Sequence, residues 1–156
     1  MKKRLFGLVI ILVVIVIGVV AFVTRNGTAQ DQSWGDPSTD PQTLMIPRWF
    51  LSELTYNGAQ IALGDAQITL QFTEDGQVNG NAGCNDFFAS YETDSTGKLS
   101  FSQAGATRMF CENAMQQEDA YLNALAQVSQ FKTEQGKLFL FSADGQTSLI
   151  FSMPPK

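Results

Sequence analysis

The chain has 156 residues, room for one modest domain and some extra segments, and carries 10 Lys and Arg against 15 Asp and Glu, a net charge of −5. It contains no histidine and only two cysteines, which removes the usual general base and the commonest zinc ligand. Its acidity argues against nucleic acid and against docking on anionic lipid.

The first element is a membrane segment. Lys2, Lys3 and Arg4 form a basic tip at residues 1–4, followed by "LFGLVIILVVIVIGVVAFV" over residues 5–23 without a charge. As a helix this run is roughly 28 Å long, enough to cross a bilayer core. A secretory signal is the competing reading, with Val19 and Ala21 at the spacing of a cleavage site, but its apolar region is usually shorter, about 7–15 residues. The basic residues ahead of the run place the N-terminus in the cytoplasm and the rest outside. The expected topology is therefore single-pass, with the lipid bilayer as partner of residues 5–23 and the body outside the cytoplasm.

Residues 24–46 are small and polar, with Pro37 and Pro41, and read as a flexible linker of reach near 25 Å. From Leu44 onward there are six Lys and Arg against twelve Asp and Glu, so the exported body is near −6.

Short apolar runs divided by turns then follow. "RWFLSELTY" ends at Asn57-Gly58, and "AQITLQF" alternates through Ile68, Leu70 and Phe72 before Asp75-Gly76. "QVNGNA", "DFFASYET" and "KLSFS" continue the style, as do "QFKTEQ", "KLFLFSADG" and "TSLIFSM" near the end. Asn-Gly and Asp-Gly between alternating runs predict antiparallel hairpins. One segment differs. Cys111 to Val128 lacks glycine and proline and predicts an amphipathic helix, with Cys111, Ala114, Met115, Tyr121, Leu122, Leu125 and Val128 on its apolar face. Glu118 lies in the middle of that face, where a carboxylate needs partners. The candidates are Arg108, backbone amides of the "GNAGCN" turn and the Trp49 indole. Two readings stay open, structural glue between helix and sheet or an acid in a ligand cleft.

The stretch "GNAGCNDFFASY" sets glycines and asparagines against heavy apolar residues. Gly80 and Gly83 permit unusual backbone angles, and the asparagines bond their own backbone, so the chain bends sharply at Cys84. In an oxidising space Cys84 and Cys111 are expected to pair, closing a loop of 27 residues. Two buried thiols, or a reactive Cys111 at a helix start, are the alternatives.

Enzyme signatures are thin. Ser95-Thr96-Gly97-Lys98 matches S-x-x-K, but Gly97 places it in a turn rather than at a helix start. Glu118 and Asp86 are a conceivable carboxylate pair with nothing to fix their separation.

Several of these stretches resemble the META domain family of HslJ-like proteins. Trp49 and Leu51 fit its opening W-x-L, "GQVNGNAGCNDFFASY" its glycine-rich Gly-Cys-Asn stretch, and "GATRMFCE" its T-x-M-x-C. Glu118, Tyr121, Leu122 and Leu125 fit E-x-x-[FY]-L-x-x-L, and "GKLFLFSADGQTSLIF" the closing hairpin. Ala89 departs from a common glycine. The resemblance covers residues 47–152 and implies an α+β, mainly β fold, a curved or barrel-like antiparallel sheet with one packed helix, here preceded by the transmembrane helix. It also implies an envelope location, stress induction and novobiocin tolerance, and carries no catalytic mechanism. The expectation is a non-enzymatic module without cofactor or metal, that binds or supports envelope components or a small ligand and does not bind nucleic acid. The alternative is an acidic inhibitor or partner of a basic envelope or wall-degrading enzyme. Cys84 and Cys111 are the expected disulfide; Asn85, Thr107, Arg108 and Glu118 are the candidate structural or ligand-cleft polar residues.

Overall fold

A computed structural model describes residues 37–154 apart from residue 47. The expected basic tip, the membrane segment 5–23 and the linker up to residue 36 lie outside the described residues. Among the described residues no helix is long and apolar enough to cross a membrane.

The strands are β1 (Trp49–Tyr56), β2 (Ala59–Ile61), β3 (Thr69–Phe72), β4 (Gln77–Asn81), β5 (Asp86–Thr93), β6 (Leu99–Phe101), β7 (Gly105–Ala106), β8 (Val128–Glu134), β9 (Lys137–Ser142) and β10 (Ser148–Ser152). Among the described residues the single α-helix, α1, spans Met115–Ala126. The main path through the sheet runs β6-β5-β4-β3-β1-β10-β9-β8, with β2 paired to β1 and β7 to β5. Every strand pair is antiparallel, as the turns predict. The path nearly closes on itself. Lys98 bridges to Gln130, and the Phe131 N–H donates to the Gly97 carbonyl at 2.8 Å. The result is a barrel-like sheet, which leaves few open strand edges.

The turns carry this topology. Asn57 and Gly58 have φ of 51° and 77°, the mirror-image turn whose twist matches a two-residue hairpin. Gln135 and Gly136, at 50° and 74°, repeat it between β8 and β9. Gly80 acts differently from its expected role. Its φ is not in the left-handed region; instead a Cβ there would lie 2.0 Å from the Thr69 carbonyl oxygen, so glycine is needed for close approach of two backbones.

Alternation builds the core. Leu138 and Leu140 of β9, Leu149 and Phe151 of β10, and Phe87 and Ala89 of β5 all point inward. In β1 the buried positions are 49, 51 and 54. A bulge between Leu51 and Glu53 shifts the register by one and changes the parity. A second bulge between Val128 and Gln130 does the same for Val128 and Phe131. Each large side chain so buried contributes about 1.5–3 kcal/mol before entropy is counted.

The helix packs on β1, β6 and β10. Its buried residues are Gln117, Glu118, Tyr121, Ala124 and Leu125, while Leu122 and Met115 are only half-buried. It starts four residues later than the sequence reading places it, because Cys111–Ala114 form a turn ahead of it. It ends where β-branched Val128 opens β8. Tyr121 packs edge-on to Phe87 with ring centroids 5.5 Å apart. Its hydroxyl is buried without a partner, and burial pushes its pKa up.

Residues 37–46, which the sequence reading gives to the linker, are part of this body. Ser38 exchanges two backbone hydrogen bonds of 2.8 Å with Thr133 on β8. Asp40 accepts from the Gln42 N–H and starts a 3₁₀ turn over Pro41–Leu44. Leu44 is fully buried, and its carbonyl accepts from the Trp49 indole N–H at 3.0 Å.

Candidate functional site

The densest polar cluster joins the β4–β5 turn, the segment after β7 and the helix. Local sequence builds the turn. The Asn81 side chain accepts from the Gly83 N–H at 2.9 Å, Gly83 has φ of 116°, and the Ala82 N–H donates to the Asn85 carbonyl at 2.8 Å. This bend delivers Cys84 and Asn85 into the interior at 6% and 1% exposure.

Glu118 reaches the bend from the first turn of α1 and is 4% exposed. Its Oε2 accepts from the Asn85 N–H at 2.7 Å and the Cys84 N–H at 3.2 Å; its Oε1 accepts from Asn85 Nδ2 at 2.7 Å. Of the three expected partners, the turn amides are the ones found. The other two expectations are corrected. Trp49 gives its indole N–H to Leu44, and Arg108 is exposed and forms no ion pair; the one ion pair among the described residues joins Lys132 to Glu134. The carboxylate is therefore held by three N–H groups rather than by a cation.

Asn85 turns its side chain toward the segment after β7. Its Oδ1 accepts from the Met109 N–H and from Thr107 Oγ1, each at 2.7 Å, while Nδ2 also donates to the Met109 carbonyl at 3.1 Å. The side-chain amide thus reads both backbone groups of Met109 as a neighbouring strand would. Cys111, two residues on, is bridged to Cys84 with Cα atoms 5.9 Å apart. Cys84, Asn85, Thr107, Cys111 and Glu118 thus come together; Arg108 does not, since its side chain points to solvent.

Sequence reading missed Gln117. It is 6% exposed; its Oε1 accepts from the Gly64 N–H and its Nε2 donates to the Ala66 carbonyl at 3.1 Å, fastening the β2–β3 loop to the helix. Polar glutamine beside Glu118 offers no sequence signal of burial.

The remaining candidates separate. Asp86 is exposed and accepts from Asn81 Nδ2 at 3.0 Å, so it does not join Glu118 in a shared cleft. Ser95–Lys98 is a turn in which Asp94 Oδ1 accepts from the Thr96 hydroxyl, the Thr96 N–H and the Lys98 N–H. Those bonds, led by the Thr96 hydroxyl, hold the Asp94 carboxyl below its ordinary range. Two shallow grooves of about 360 and 150 Å³ lie on either side of Leu63, and neither is lined by Asn85 or Glu118. Among the described residues no group of acidic or cysteine side chains is placed to hold a metal.

A family model described as META domain matches residues 42–154. No curated protein matches the chain. Among solved structures, an NMR structure of a protein from Burkholderia xenovorans is similar, at 27% identity and a TM-score of 0.63, covering 85% of this chain and 99% of that one. A crystal structure of a duf4847 family protein from Bacteroides vulgatus is 10% identical with a TM-score of 0.55, over 74% and 97% of the two chains. At that identity the likeness is one of fold alone.

Proposed function

The chain belongs to the META domain family, and from that premise we propose that it is a non-enzymatic binding and support module of the bacterial envelope, held in the inner membrane by residues 5–23 and serving under heat or antibiotic stress. One observation carries the non-enzymatic part. The polar cluster that most resembles a reactive centre spends its groups on itself, since both Glu118 oxygens and the whole Asn85 amide are taken by structural hydrogen bonds. The chain has no histidine, the commonest general base. The envelope part rests on the apolar run and on the paired cysteines, which persist in oxidising compartments.

The test is a pair of reporter fusions to the C-terminus of the full chain, expressed in the bacterium that carries it. Alkaline phosphatase should be active, β-galactosidase inactive, and the fusion should stay in membranes after an alkaline carbonate wash. A strain lacking the protein should survive heat or novobiocin less well. An active β-galactosidase fusion, or unchanged survival, overturns the reading. A second reading, an acidic partner of a basic envelope or wall-degrading enzyme, is favoured by the net charge near −6 of the body.

A further inference from the structure

Three large apolar side chains stand out in solvent: Phe88 at 64% exposure, Met109 at 57% and Phe110 at 82%. They follow one strip. Gly105 pairs with Phe88 and lies under its ring, the Thr107 N–H donates to the Asp86 carbonyl, and the Met109 backbone is held by Asn85. Scattered exposed apolar residues need no explanation, but these share a short stretch of fixed backbone. We propose that this strip docks a basic protein, whose apolar cleft receives Phe110. The inference rests on the binding-module reading and names its surface and the chemistry of its partner.

The backbone beneath the strip is prepared for such a contact. A buried carboxylate, a saturated asparagine and a disulfide hold residues 107–111, yet Met109 and Phe110 take no part in the core. Ordering cost is removed from binding when the loop is already rigid. An exposed aromatic on such a loop fits the profile of an interface anchor. The charge around it selects the partner's sign. Exposed Asp86 and Glu112 rim the strip, on a body near −6.

Charge weighs against the other occupants. An anionic lipid surface would repel the rim. A second copy would bring two like-charged bodies together.

The test is photocrosslinking of the full chain in its own bacterium, with Phe110→p-benzoylphenylalanine and, as the control site, Lys137→p-benzoylphenylalanine on β9. Phe110 is mostly solvated, and a melting curve checks that the fold is kept. The expected result is a discrete protein adduct from position 110 and not from 137, whose partner has a basic isoelectric point. Asp86→Lys together with Glu112→Lys should abolish it. The purified pair should bind about tenfold or more weakly when salt rises from roughly 50 to 500 mM. No adduct at position 110, or an adduct with lipid, with a second copy or with an acidic protein, overturns the proposal. The phosphatase fusion is read independently, so an envelope location without an adduct sinks this inference alone.

Discussion

Asn85 spends every hydrogen-bonding group it has. Both amide hydrogens, both amide lone pairs, the backbone N–H and the backbone carbonyl are engaged. Its partners lie 24 and 33 residues away, on the segment after β7 and on the helix. That is why the sequence shows only half of the cluster. Glu118 is legible, as one charge on an apolar stripe, and the need for turn amides follows from it. Asn85 and Thr107 are candidates through the family resemblance, whereas by its local pattern Asn85 reads as an ordinary turn asparagine, because nothing local says which strangers its side chain will meet. The cluster has a measurable consequence. Glu118→Ala leaves three buried N–H groups without acceptors and should lower unfolding stability by about 3–5 kcal/mol. Glu118→Gln turns an amide N–H₂ toward existing donors and should cost less, about 1–3 kcal/mol. Urea titration measures both, and a change for Glu118→Ala within about 0.5 kcal/mol would place the carboxylate in solvent instead.

The segment between β7 and α1 has to be held by other means than secondary structure. β7 is two residues long, and the Ala114 N-cap offers no side-chain hydrogen bond to the helix. The Cys84–Cys111 bridge and the Asn85 amide do the holding, the first covalently and the second by mimicking a strand. This explains what sequence patterning found and lost at the level of elements. Long alternating runs with Asn-Gly or Asp-Gly between them mark β1, β3, β5, β9 and β10 by local chemistry. β2 and β7 are too short for any periodicity and exist because β1 and β5 have free edges to offer. The helix start moved because residues 111–114 answer to the bridge rather than to helix propensity. Reducing the bridge restores the freedom of a 27-residue loop in the unfolded chain, so reductant should destabilise the body by about 3.5 kcal/mol. Amide exchange at Met109 should accelerate in step, since its backbone partner sits next to Cys84. Identical melting with and without reductant would show that the bridge carries no stability.

At the scale of the whole body, closure of the sheet depends on residues that look like linker. Ser38 continues the sheet beyond β8, Thr39 gives its hydroxyl hydrogen to the Ser95 carbonyl near where β6 and β8 meet, and Leu44 fills the core beside Trp49. Composition misleads here for a physical reason. Small polar residues with two prolines lack any pattern of their own, and their structure comes from the groove they lie in. The Phe131–Gly97 bond joins the β5–β6 turn to β8, and the short segment at Ser38 and Thr39 extends that seam by bonding to Thr133 and Ser95. A chain beginning at residue 47 therefore loses the Leu44 burial, the indole acceptor and both Ser38–Thr133 bonds at once. Leu44 alone is worth about 2 kcal/mol and the hydrogen bonds add about 1 kcal/mol each, so that truncation should melt well below one beginning at residue 37. Hydrogen exchange should quicken first at Thr133 and Phe131, whose amides seal the seam. If the two truncations melt together, the seam is closed by β6 and β8 alone, and residues 37–46 are the passive linker their composition suggests.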